Sequence, residues 1–366
     1  MKIEGNELAL LRACLANDDE FLEKFRSWEQ TADLDSLNYG AVRLLPYLKI
    51  RVDQHSLQTD LKPKLDGIYR YFWAKRQVQG AAIDKHLVPF LNGKPAIALK
   101  GLSLEGLAYR LPELRPFDDV DILVSRVHYF ELAELAGDFG LDYAGPGPEQ
   151  STVYLRHAKT YRAKNIELDL HWTTIPVAAD PQFELRMFER SQEWPQGPRG
   201  FRNPSPTDCL LHTILHGNRG NSVSPIRWYL DAFLLIQRNS IDWPLFWREA
   251  ELIGLNRQVK KAAARLNDLV EHQIIDLKNA PSSKRITGLS RIASLASYGA
   301  TSLWAGRLLR LLGSDVPIVN KALAMDAKIH AGLRPHYWAA LESIYEINTV
   351  LRNNSLKSVI RGTWFK

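Results

Sequence analysis

Acidic and apolar residues alternate in one short run, Asp119-Val120-Asp121-Ile122-Leu123-Val124. A period of two predicts a β-strand on which Asp119 and Asp121 share one face and the apolar residues share the other. Neighbouring carboxylates repel each other, so one tends to take up a proton unless a cation compensates the charge. Proteins hold Mg²⁺ through one or two carboxylates together with substrate phosphates. The run therefore predicts half of a metal-phosphate site, and the alternative is the solvated edge of a strand.

A lysine-glycine pair stands upstream of this strand. The apolar run over residues 95–99 predicts a buried strand, and Lys100 and Gly101 follow it directly, before a segment of helical character. Glycine lets backbone N–H groups come close to a phosphate, and lysine adds a positive charge. Such a pair is not specific by itself, but beside the acidic strand it predicts a phosphate-binding turn.

A second alternating run lies downstream, over residues 165–172. On a strand it places Glu167, Asp169 and His171 on one face. Either Glu167 or Asp169 can bring a third carboxylate to the first pair, and the sequence does not choose between them. Three carboxylates on neighbouring strands are suited to two-metal phosphoryl or nucleotidyl transfer.

The order of these motifs resembles the DNA polymerase β-like nucleotidyltransferase superfamily. In detail the chain is similar to its uncharacterised nucleotidyltransferase family, in which Lys-Gly replaces the usual Gly-Ser. The segments that carry the resemblance are Leu99-Lys100-Gly101, Tyr109, residues 115–124, Asp169-Leu170-His171-Trp172, and Leu211-His212 through His216. The resemblance covers about residues 95–243.

The resemblance implies a Mg²⁺-dependent (or Mn²⁺-dependent) enzyme that moves an NMP group from an NTP, such as ATP, to an acceptor hydroxyl. Asp119 and Asp121 are expected to hold one or two metal ions. Asp169 is expected to help place the second metal and to activate the acceptor hydroxyl, and Glu167 is the alternative candidate for this third acid. The acceptor can be a small molecule, a sugar, a protein or an RNA end, and the sequence does not decide among them.

Phosphate contacts are expected from Lys100, Gly101 and Ser103, although Ser103 stands two residues after the glycine. Arg115 can reach a phosphate or form a structural salt bridge with Asp118.

Three histidines are candidates for the same cleft. His212 and His216 stand four residues apart, which puts them on one helix face. The resemblance implies that they face the nucleotide cleft, and a hydrogen-bonded structural role is the alternative. Together with His171 they also allow a third hypothesis, a zinc hydrolase.

The fold is predicted to be α+β, with a small mixed β-sheet flanked by helical regions. Predicted units are an N-terminal helical region over 1–92, an α/β core over 93–200 and a C-terminal helical region over 201–366. Strands are expected at 96–99, 120–124, 153–155 and 166–172. A proline- and glycine-rich stretch over 194–200 predicts a linker, and no chemistry is evident in the N-terminal region.

Composition sets the remaining expectations. Of the 366 residues 45% are hydrophobic, which is enough for a substantial core, and the formal net charge is +6. The two cysteines stand far apart and predict reduced core thiols. No apolar run is long enough for a membrane span, and the acidic N-terminal stretch is unlike a secretory signal, so a cytoplasmic location is expected. A non-catalytic nucleotide- or RNA-binding protein on the same fold is the main alternative function.

Overall fold

The computed structural model describes residues 3, 5–91, 93–144, 158–175, 182–218, 226–278 and 280. The strand predicted at 153–155 and the predicted C-terminal helical region beyond residue 280 lie outside these residues. In the described part of the chain no helix is both long and apolar enough to cross a membrane.

The N-terminal region is helical, as predicted. Its α-helices are α1 (Gly5–Leu15), α2 (Asp18–Glu29), α3 (Tyr39–Val42), α4 (Leu45–Gln54), α5 (Lys62–Ala82) and α6 (Val88–Leu91). Asparagine side chains cap two of them: Asn17 accepts a hydrogen bond from the amide of Glu20, and Asn38 accepts one from the amide of Ala41. A π-helical turn over Ile83–Leu87 joins α5 to α6.

Among the described residues, seven strands form one mixed sheet. They are β1 (Ala96–Ala98), β2 (Asp119–Leu123), β3 (Asp142–Tyr143), β4 (Ala158–Ala163), β5 (Ile166–His171), β6 (Gln192–Glu193) and β7 (Phe201–Asn203). Their order across the sheet is β3-β4-β5-β2-β1-β7-β6. The pairs β2/β5 and β1/β7 are parallel and the others are antiparallel. This sheet, with helices around it, confirms the predicted α+β class.

The interval over 194–200 does not act as a linker between separate units. It connects β6 to β7, which pair with each other, and β7 also pairs with β1 in the middle of the sheet. The prediction of a linker was wrong because proline and glycine mark a tight connection between strands as readily as a connection between domains. The sheet therefore extends past residue 200, where the predicted core ends.

Helices of the core and the C-terminal region cover the sheet. They are α7 (Lys100–Leu107), α8 (Arg126–Leu135), α9 (Phe183–Arg190), α10 (Pro206–Gly217), α11 (Arg227–Arg238), α12 (Trp243–Leu252) and α13 (Asn256–Val270), with short 3₁₀ turns at Pro112–Leu114 and Ala136–Phe139. The N-terminal α1 packs against α11 and α13. One hydrophobic core thus includes Leu11 and Phe25 from the start of the chain and Leu234 and Leu266 from its C-terminal helices.

The two faces of the sheet differ in chemistry. Val120 and Ile122 of β2 and Leu168 and Leu170 of β5 lie in a second hydrophobic cluster on one face. Their neighbours along each strand point to the opposite face, because side chains alternate along a strand. Burial of the apolar face therefore fixes the direction of every acid on β2 and β5.

Candidate active site

The acidic residues of β2 and β5 are brought together by the parallel pairing of these strands. Asp119 lies opposite Glu167, and Asp121 lies opposite Asp169. One possible ligand atom from each of Asp121, Asp169 and His171 can be chosen so that all three lie within 4.8 Å of one another. The structure thus assembles a cluster that can hold a metal ion, with Asp119 two residues away on the same strand face.

Lys100 sits at the start of α7 and reaches this cluster. Its backbone has a φ of 47°, in the left-handed region that few non-glycine residues adopt. The ammonium group donates a hydrogen bond to Oδ1 of Asp121, and His171 Nε2 lies 2.8 Å from the same oxygen. The sharp turn after β1 therefore directs a cation onto the acidic strand.

Burial and neighbouring charges shift the pKa values of the two acids of β2 in opposite directions. Burial alone would raise the pKa of Asp121, but Lys100 and His171 outweigh it and lower the pKa to about 2. The pKa of Asp119 is raised by burial and by the charge of Asp121. Asp121 is thus a carboxylate at neutral pH, and Asp119 is the acid of the pair whose charge is less well compensated.

Gly101 is required by close packing at the beginning of α7. A Cβ atom at this position would lie 2.7 Å from Cβ of Phe117, a distance that real Cβ atoms do not adopt. Ser103, by contrast, turns away from the cluster: it is 1% exposed and its hydroxyl donates to the carbonyl oxygen of Lys100. The structure brings Lys100 and Gly101 to the site and leaves Ser103 out of the cavity lining.

A cavity of about 500 Å³ opens beside the acids. Its charged and polar lining residues are Tyr39, Arg43, Lys100, Arg115, Asp118, Asp119, Asp121, Glu167, His212, Thr213, His216, Arg227 and Asp231. It combines carboxylates from the sheet with cations from α7 and α11, from the residue that follows α3 and from the segment before β2. A cavity of this composition suits a ligand that carries phosphate groups and a metal ion.

Arg115 lines the cavity but pairs with Asp231 instead of Asp118. Its Nε lies 2.6 Å from Oδ1 of Asp231 and its Nη2 lies 2.8 Å from Oδ2, in a two-pronged ion pair. The hydroxyl of Tyr109 donates to the same carboxylate at 2.7 Å. Asp118 is instead paired with Arg43 and Lys75. The salt bridge expected between Arg115 and Asp118 is therefore replaced by one that fastens α11 to the segment before β2.

The other predicted residues take distinct places. Glu167 lines the cavity and binds Arg162 at 2.6 Å, whereas Asp169 accepts a hydrogen bond from the Thr160 hydroxyl at 2.6 Å and belongs to the metal-ligand cluster. His212 and His216 also line the cavity, with ring centroids 5.9 Å apart. In the described ranges neither histidine belongs to a group of three or more potential metal ligands, and His171 is in the acidic cluster instead.

Several cavity residues were not predicted as part of the site, among them one tyrosine and two arginines. Tyr39 begins α3 and Arg43 directly follows this helix, in the N-terminal region where no chemistry was expected, and Arg227 begins α11. The sequence held one signal for them: Arg43 is a lone charge in the apolar stretch 40–48.

These features define a class of protein: acids on adjacent parallel strands, facing a cavity with lysine and arginine on its walls, are typical of proteins that act on phosphorylated substrates. A family model described as "Uncharacterised nucleotidyltransferase" matches residues 41–271, more than half of the chain. The chain therefore belongs to this family. The match confirms the resemblance seen in the motifs and extends it on both sides, into α3 and α13. No curated protein matches the chain significantly.

Proposed function

We propose that this protein transfers a nucleotidyl group from an NTP to an acceptor hydroxyl, with Mg²⁺ or Mn²⁺ held by Asp119, Asp121 and Asp169. The observation that carries the proposal is the convergence of these acids from two parallel strands beside Lys100. Membership of a nucleotidyltransferase family supports the transfer of a nucleotidyl group.

The residues of the cluster fit a divalent cation. Carboxylate oxygens are the ligands that Mg²⁺ and Mn²⁺ prefer, and the ligand atoms of Asp121 and Asp169 lie close enough to share one ion. His171 adds an imidazole to the same cluster, a ligand that transition metals accept more readily than Mg²⁺ does. When bound, the metal polarises the phosphate and offsets its charge.

The chain's own residues supply position and proton transfer. The acceptor oxygen forms a bond to the α-phosphorus, the bond from that phosphorus to its bridging oxygen breaks, and diphosphate leaves. Asp169 accepts the proton of the acceptor hydroxyl; its Oδ1 already accepts a hydrogen bond from Thr160, which keeps the carboxylate oriented. In the free protein Lys100 donates a hydrogen bond to Asp121. When the substrate binds, Lys100 instead donates this hydrogen bond to a phosphate oxygen. Gly101 lets the beginning of α7 approach the same phosphate.

Transfer of label tests the proposal. The full chain is incubated with each α-labelled NTP, with Mg²⁺ or Mn²⁺, in a cell extract that offers proteins, RNA, sugars and small molecules. Label is expected to move into one size class of acceptor. The variant Asp119→Asn is expected to lose at least 100-fold of this activity, a scale typical of the removal of a preorganised catalytic charge (roughly 10²–10³).

Asp60→Asn is the matched control, because Asp60 is an exposed carboxylate away from the cavity. Equal transfer by the wild type and Asp119→Asn would exclude the assigned acids. Nucleotide binding without any transfer would favour the binding-only alternative.

A further inference from the structure

Four cationic side chains from the described part of the chain line the cavity, and three of them are paired with carboxylates. Arg43 forms an ion pair with Asp118, Lys100 with Asp121, and Arg115 with Asp231. Each of these cations can therefore be present without a ligand, since a carboxylate compensates its charge.

Arg227 is different. Its Nη1 donates a hydrogen bond to the carbonyl oxygen of Pro116 at 3.1 Å, and no carboxylate among the described residues lies within ion-pair distance of it. Its guanidinium is nevertheless half-buried and shares the cavity with Arg43 and Arg115. Burial, followed by the like charges of Arg115 and Arg43, lowers the pKa of Arg227 to about 9, and the more weakly acting carboxylates of Asp231 and Asp119 offset this only in part.

A half-buried guanidinium among like charges is unfavourable unless an anion compensates it. A planar guanidinium binds the oxygens of a phosphate group through two parallel hydrogen bonds, which a lysine cannot do. The unpaired charge is therefore best explained by an anionic ligand that enters the cavity.

We infer that Arg227 binds the terminal phosphates of the nucleoside triphosphate, and so holds the diphosphate that leaves during transfer. This inference rests on the proposed function. It also offers a replacement for the contact that Ser103, which is buried on α7 and absent from the cavity lining, does not provide. In this arrangement the acids of β2 and β5 act at the reacting α-phosphate, and Arg227 of α11 binds the diphosphate that leaves.

Binding measurements on Arg227→Gln test the inference without turnover. The probes are an ATP analogue with a methylene group between its α and β phosphates, and AMP. For Arg227→Gln the affinity for the ATP analogue is expected to fall about 10- to 100-fold, the effect of losing a charge-assisted hydrogen bond, while the affinity for AMP is unchanged. The affinity of Arg227→Lys for the ATP analogue is expected to lie between these values, because lysine keeps the positive charge but cannot form the two parallel hydrogen bonds of a guanidinium.

Arg248→Gln is the control, since Arg248 is exposed on α12 and does not line the cavity. An unchanged affinity of Arg227→Gln for the analogue, or an equal loss for AMP, would overturn the inference. If the wild type binds neither the analogue nor any other NTP, the proposed function itself fails.

Chemical modification gives a readout on the wild-type protein, independent of whether a variant folds. Phenylglyoxal modifies accessible arginines, and the modified positions are identified by mass spectrometry. Arg227 is expected to react in the free protein and to be protected by inorganic triphosphate, whereas Arg248 reacts in both cases. Protection by AMP alone, or no protection by triphosphate, would contradict the assignment.

Discussion

Arg115 and Asp231 form a two-pronged ion pair across 116 positions of sequence, with distances of 2.6 and 2.8 Å. Both side chains are buried, with exposed fractions of 8% and 2%. The pair joins the segment before β2, the strand with the acids proposed as catalytic, to α11, the helix with Arg227. The acidic strand and the inferred phosphate-binding helix are thus held in one arrangement by a buried contact.

Removal of Asp231 is expected to destabilise the fold. In Asp231→Ala, Arg115 becomes a buried charge without its partner, which costs about 3–5 kcal/mol in comparable cases. Denaturant unfolding measures this as a lower midpoint. Asp60→Ala, which removes an exposed carboxylate, is expected to leave the midpoint nearly unchanged. A small effect of Asp231→Ala would show that the pair adds little to stability.

Two glycines test the packing at the beginning of α7. In Gly101→Ala the new Cβ would meet the Phe117 side chain at 2.7 Å, so a loss of about 1–3 kcal/mol in unfolding free energy is expected. In Gly67→Ala, within α5, no atom lies within 4 Å of the new Cβ, and a gain of up to about 1 kcal/mol is expected from helix propensity. Equal effects of the two substitutions would contradict the packing argument.

Divalent cations are expected to raise the melting temperature. The carboxylates of Asp119, Asp121 and Asp169 lie close together, and burial, followed by the negative charges of Asp121 and Asp169, raises the pKa of Asp119. A cation that binds only the folded state at 100 times its Kd adds about 2.7 kcal/mol of stability. Thermal unfolding with Mn²⁺, Mg²⁺ or NaCl of matched ionic strength measures the effect.

Asp119→Asn is expected to reduce this metal-dependent shift, and Asp60→Asn to keep it. A shift that Asp119→Asn retains in full would place the metal elsewhere.

The two cysteines are expected to resist alkylation at pH 8. Cys14 and Cys209 are 0% and 2% exposed, and burial raises the pKa of each thiol from 9.0 to about 12. The reactive thiolate is therefore scarce in the folded protein. Mass spectrometry after iodoacetamide treatment should find neither residue modified in buffer and both modified in urea.

The raised pKa values of the Cys14 and Cys209 thiols also predict how the stability of the fold depends on pH. Between pH 9 and 12 the unfolded chain releases these protons while the folded chain keeps them, so the thiols' contribution is complete below pH 9 and declines as the pH rises towards 12. Replacement of both residues by serine should weaken this alkaline dependence. Rapid labelling of the native protein at pH 8 would contradict the burial of both thiols.

Local pattern was enough to predict the acidic strands. The alternation in 119–124 and 165–172 places the acids on one face of each strand, because side chains alternate whatever the tertiary structure is. The Lys-Gly turn between β1 and α7 was also predictable, because it directly follows the apolar run over residues 95–99. These features depend only on residues adjacent in sequence.

Which acid of β5 lies beside Asp121 depends on the register of β2 and β5. Asp169 lies opposite Asp121, whereas Glu167 lies opposite Asp119 and binds Arg162. Glu167 and Asp169 share a strand face, so periodicity could not separate them. Pairing between distant segments made the distinction.

By itself, the sequence determined the α+β class, the acidic faces of two strands and the family, since each follows from short motifs and their order. Only the tertiary structure decided that Tyr39 and Arg43 reach the cavity, that Arg115 pairs with Asp231, and that Arg227 has no carboxylate partner among the described residues. The partner of a charged side chain depends on distances set by packing of the whole core. Residues more than 100 positions apart come into contact in this structure, and local sequence patterns do not predict which of them do.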